Sequence, residues 1–108
     1  MQRGLTDWQA QILKGLGHPT RVRIIETLRG GERCVCEIME ELALEQSNVS
    51  QHLAVLKKLD ILASRKDGLK MMYRVRHPQV FTILDLLKTM IAARARETLA
   101  VLKEAGGK

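Results

Sequence analysis

The chain has 108 residues, 45% of them apolar and 28% charged, which fits one folded domain over residues 1–108 and not a disordered tail. Charges interrupt every apolar run well short of the roughly 18 residues of a membrane span. The polar N-terminus lacks a signal-peptide core, so a cytoplasmic protein with no membrane partner is expected. The formal charge of +6 lies in the second half: residues 1–60 carry eight basic and eight acidic side chains, and residues 61–108 carry ten and four. Within 61–78, Arg65, Lys66, Lys70, Arg74 and Arg76 face one acid, Asp67. That balance suits a polyanion, although a solvated basic surface would read the same way.

Thr6 and Gln9 resemble a capping box, followed by Trp8, Ile12, Leu13 and Leu16 at helical spacing, with Gly15 and Gly17 weakening the helix end. His18-Pro19 starts a second helix with an apolar face of Val22, Ile25 and Leu28, stopped by Gly30-Gly31. A third helix is expected from Cys34 to Leu42, with Val35, Ile38, Met39 and Leu42 inward. After the break Ala43-Leu44-Glu45, a fourth helix runs from Gln46 to Leu59 over Val49, Leu53, Leu56 and Leu59. Two helices joined by so short a link fit helix-turn-helix, about residues 34–59.

Asp67-Gly68 is a two-residue turn signal, so a hairpin wing is expected over about 61–77. Leu69, Met71, Tyr73 and Val75 should face inward, and Lys70, Met72, Arg74 and Arg76 outward. A last helix is expected over 79–103, with apolar positions at Val80, Leu84, Leu87, Ile91, Ala95, Leu99 and Leu102. Its length of roughly 37 Å exceeds what one small domain covers, so a second copy is expected, dimerising through about 6–17 and 79–103. The fold class is mainly α with a two-stranded β-hairpin wing: a winged helix-turn-helix in the order α-α-α-α-β-β-α.

The fourth helix opens on short polar side chains: Gln46, Ser47, Asn48, Ser50 and Gln51, with His52 near the edge. Gln and Asn can pair with adenine edges, and Ser can bond bases or phosphates. Such residues also occur on ordinary capped helices; their place after a tight turn and before a basic wing is what points to DNA. Arg65, Lys66, Lys70 and Arg74 are the phosphate-contact candidates. His18 reads as a helix cap, His77 as a strand-end residue, and Asp60 as a residue that tolerates the left-handed conformation.

Cys34 and Cys36 are the only cysteines. In a regular helix, residues i and i+2 point about 200° apart, so the pair could not hold one ion while Val35 takes the core. In an extended segment both point the same way. Chelation would then unwind the first turn of the third helix, the support of the DNA reader. The rival readings of the pair are a redox switch and two small buried apolar residues. C-x-x-C, a phosphate loop, paired carboxylates and a nucleophile–base pair are all missing, so no enzyme is expected.

Taken together, GHPTRVRIIETL at 17–28, ERCVCEI at 32–38, SNVSQHLAVLKKLDIL at 47–62 and DGLKMMYRV at 67–75 resemble the ArsR/SmtB family of winged-helix repressors. The resemblance implies a homodimer that binds an imperfect inverted repeat in double-stranded operator DNA, needs no cofactor to do so, and leaves when inducer binds. Cys-Val-Cys resembles the arsenic- and cadmium/lead-sensing branches. It implies As(III) or Sb(III) as inducer on Cys34 and Cys36, with Met39 where a third cysteine often stands. Met39 reads more simply as core filler. A redox- or persulfide-sensing repressor of the same fold, or a cadmium/lead-type sensor, are the alternatives; the N-terminal cysteines of the latter branch are missing. The family's zinc-type site on the last helix is discounted, since only Asp85 is present there.

Overall fold

Local signals decide most of the helix boundaries. The computed structural model describes residues 4–106. Its elements are α1 (Leu5–Leu16), α2 (Pro19–Thr27), β1 (Arg33–Cys34), α3 (Val35–Leu42), α4 (Gln46–Lys58), β2 (Leu62–Asp67), β3 (Lys70–Val75) and α5 (Gln79–Gly106). They fall into two compact units, divided after Pro78. Among the described residues, no helix is long and apolar enough to cross a membrane.

In the first unit, α1 starts at Gly4 with no side-chain cap, so the expected box of Thr6 and Gln9 does not form. Gly15 lies inside this helix, where the Leu59 side chain approaches so closely that a Cβ would meet it. The α2 start matches expectation: His18 Nδ1 accepts the Thr20 N–H at 3.1 Å, and Pro19 opens the helix. Ile24, Ile25 and Leu28 are its buried face, with Val22 only half-buried.

The ends of α3 and α4 close in the same way. Ala43 and Asp60 adopt φ of 55° and 61°. The N–H one residue further on then reaches back five residues, Leu44 to Met39 O at 3.2 Å and Ile61 to Leu56 O at 3.0 Å. This Schellman-type closure uses up carbonyls that the helix end would leave bare. It turns the chain sharply enough for α3 to pack on α4. Ile38, Val49, Leu53 and Leu56 are fully buried there, each contributing about 1.5–3 kcal/mol.

The sheet has three strands in the order β1-β3-β2, all antiparallel, not the two expected. The extra strand is two residues long, too short to show a period-two pattern in the sequence. The hairpin turn is also displaced by one residue. Asp67 pairs with Lys70, so Gly68 and Leu69 make the turn, with Gly68 at φ 64° in the first position, where a type II′ turn needs it. Leu69 therefore stands fully exposed at the tip, and Met71 is also exposed, so inward packing holds only for Tyr73 and Val75, each half-buried.

The second unit is α5 alone, 28 residues and about 42 Å long. Val80 and Leu84 are its only buried residues. Leu86, Leu87, Met90, Ile91, Leu99, Val101 and Leu102 are exposed.

Truncating Leu56 to Ala should cost about 2–5 kcal/mol through lost burial and a residual cavity. Leu69→Ala should stay within about 0.5 kcal/mol. Urea-unfolding midpoints of the two variants check this contrast.

Candidate nucleic-acid interface and cysteine pair

The three-residue link fixes which face of α4 turns outward. With Val49, Leu53 and Leu56 buried, Gln46, Ser47, Asn48, Ser50 and Gln51 are all exposed. Among the described residues none of the five spends its side chain on an internal hydrogen bond, so their donors and acceptors remain available. Free N–H groups of the first turn add to this face. Glu45 precedes the helix without a side-chain cap bond.

His52 differs from these five. It is half-buried and turned toward α2: its Nδ1 accepts the Arg21 Nε–H at 3.2 Å, and its ring centroid lies 4.4 Å from that of His18. Burial, with the charges of His18 and Arg21, holds its pKa below the ordinary histidine value. Arg21 also donates to the Gly15 carbonyl at 3.3 Å, so His52 ties α4 through Arg21 to α2 and α1.

On the wing, register sorts the four basic candidates. Arg65 pairs with Met72, Ala63 with Arg74 and Asp67 with Lys70, which sets Arg65, Lys70 and Arg74 on one face. Lys66 pairs with Met71 on the other. Arg65 is already engaged: its Nε and NH2 donate to the two oxygens of Glu32 at 2.8 and 2.6 Å. The Arg65 guanidinium, followed by Arg74, holds the Glu32 carboxyl below the usual carboxylate range. Nothing in the sequence pairs these residues, which lie 33 positions apart. Lys66, Lys70 and Arg74 form no ion pair among the described residues. Arg76 sits 3.2 Å from Asp60.

The cysteine pair departs from expectation. Cys34 is not in α3 but ends β1, in extended conformation at φ −81° and ψ 162°. Cys36 stands in the first turn of α3. Their Cα atoms are 5.3 Å apart and the two sulfurs are bonded to each other. Proximity of the sulfurs therefore requires no unwinding: α3 is intact from Val35, and the bend between strand and helix does what an extended segment was expected to do. Cys34 is buried and Cys36 exposed, while Val35 is half-buried and does not hold the core position. The Cys34 sulfur also caps α3. It accepts the Glu37 N–H at 3.3 Å, and Glu37 Oε1 accepts the Cys34 N–H at 3.0 Å, a capping box with sulfur in place of hydroxyl. Met39 is half-buried on the same helix. Among the described residues no group of three or more His, Cys, Asp or Glu could hold a metal ion.

The profile of the bacterial regulatory proteins of the arsR family matches residues 18–64, from the cap of α2 into β2. The arsenical resistance operon repressor of Staphylococcus xylosus is 35% identical over 81 residues, covering 72% of this chain and 78% of that one. The chain belongs to the ArsR family. The HTH-type transcriptional regulator Rv0081 from Mycobacterium tuberculosis is 36% identical over 102 residues, covering 92% of this chain and 90% of that one. Its crystal structure superposes with a TM-score of 0.80 at 32% identity, over 91% of this chain and 99% of that one. The homodimeric winged helix-turn-helix DNA-binding domain Mb0332 from Mycobacterium bovis gives 0.77 at 25% identity, covering 86% of each chain. ArsR proteins are transcriptional regulators and not enzymes, in keeping with the family-level expectation.

The lowered pKa of His52 carries a sign. The unfolded chain takes up this proton more readily than the folded one, so stability is full above the ordinary value of 6.5 and declines as pH falls through the lowered one. Urea midpoints should be flat above about pH 7 and drop below about 6.5. His52→Gln should remove part of that drop, and an unchanged pH profile would place the titration elsewhere.

Proposed function

We propose that this protein is a homodimeric repressor whose hold on operator DNA is released when arsenite or antimonite takes both sulfurs of Cys34 and Cys36. The observation that carries the reading is the adjacency of the two sulfurs, one exposed and one capping α3. Reduced, the pair is a soft bidentate donor suited to trivalent arsenic or antimony. Arsenous acid would exchange two hydroxides for the two thiolates and release two waters. Its third position would keep hydroxide or take a cellular thiol. A guest on the Cys34 sulfur competes with the Glu37 N–H for the same lone pairs, and a lost cap costs a helix about 1 kcal/mol. The disturbance would fall on α3, against which the reader α4 packs.

DNA would be read by Gln46, Ser47, Asn48, Ser50 and Gln51 in the major groove, with Lys66, Lys70 and Arg74 on phosphates and His52 setting the helix orientation. A second copy would cover the apolar side chains left exposed on α1, among them Leu5, Trp8 and Leu13, and those along α5. Dimer symmetry would then match an inverted repeat. No cofactor would be needed for this binding.

The bond between the two sulfurs favours a second reading, in which the signal is an oxidant. Two thiols would give up two electrons and two protons, and peroxide would accept them and leave as water.

The test is a titration of the reduced protein on its own promoter fragment with arsenite, antimonite, cadmium, zinc and peroxide. Arsenite or antimonite should release the wild type, while Cys34→Ser and Cys36→Ser should bind and no longer release. Release by peroxide alone supports the oxidant reading. Loss of DNA binding in a folded serine variant without inducer would make the pair structural.

A further inference from the structure

Arg65, one of the wing's phosphate-contact candidates, is held by a carboxylate from outside the wing. Both Glu32 oxygens accept from Arg65, at Nε and NH2, the two-pronged geometry in which a guanidinium also grips a phosphate. Strand register explains the approach. Arg33 pairs with Tyr73 and Cys34 with Met72, so position 32 continues the ladder beside Arg74. Met72 pairs in turn with Arg65, which puts Glu32 diagonally across from it. Arg65 is exposed and Glu32 half-buried, and an ion pair that solvent reaches in this way adds little to stability. Fold maintenance therefore gives no sufficient reason for a carboxylate at this place. Its negative charge offsets the positive charge on the face that carries Arg65, Lys70 and Arg74.

We propose that Glu32 is an internal competitor of DNA phosphate for Arg65, so that binding through this wing face requires exchange of the carboxylate for a phosphate. The proposal rests on the DNA-binding reading above and adds a residue that sets its strength. Glu32 acts through Arg65 and touches no DNA itself. Its removal should strengthen binding, the opposite of what losing a structural ion pair does.

Salt dependence separates the two cases, since each phosphate contact contributes about −0.9 to the slope of log K against log salt. The probe is a mixed-sequence double-stranded DNA, because phosphate contacts do not depend on sequence. Glu32→Gln keeps the shape and removes the charge. It should tighten binding severalfold at low salt and steepen the slope by about 0.9 per protomer. Arg65→Gln introduced into the Glu32→Gln background should abolish the gain. Glu40→Gln, the same charge change on α3, controls for net charge and should not steepen the slope. An unchanged slope in Glu32→Gln overturns the proposal, as does a gain that persists when Arg65 is also replaced by Gln. If the wild type binds no duplex DNA even at low salt, the DNA-binding reading itself fails and takes this proposal with it.

Discussion

The pairing of Arg33 and Cys34 with Tyr73 and Met72 is the contact on which the site's geometry depends. It holds Cys34 in an extended conformation immediately before α3 begins. An extended residue followed by a helical turn brings the sulfurs of positions i and i+2 together, which a continuous helix cannot do. The same pairing ties the cysteine segment to the wing, while the capping box ties it to α3. One short strand thus joins the thiols to the wing and to α3, against which α4 packs.

Polar side chains on α4 are arranged by the helix's apolar needs. Once Val49, Leu53 and Leu56 are buried, the intervening positions must point to solvent, and there the short polar residues keep their donors and acceptors free of internal partners. His52 lies at the boundary of the two faces, and its partners come from α2. On the wing, strand alternation does the sorting, separating Lys66 from Arg65, Lys70 and Arg74.

Charge on the wing is more evenly balanced than its own sequence implies. Segment 61–78 contains one acid against five bases, yet Arg65 is met by Glu32 and Arg76 by Asp60, both from outside that segment. The net field that a polyanion meets is set by residues distant in sequence. Unlike a buried pair, these exposed ones can exchange partners at small cost.

The sequence by itself determined the helices, the short link between α3 and α4, the outward face of α4 and the existence of a hairpin, because each rests on periodicity or turn chemistry within a few residues. It also anticipated the His18 cap and the left-handed Asp60. Tertiary structure alone decided that Cys34 belongs to a strand, since a two-residue strand has no period and exists only through its partner β3. The turn register, which shifted by one residue and put Leu69 at the tip, was likewise set by cross-strand pairing. The contacts Glu32–Arg65 and His52–Arg21 join positions about thirty residues apart, and no local pattern encodes which distant side chains the folded backbone will bring within hydrogen-bonding reach.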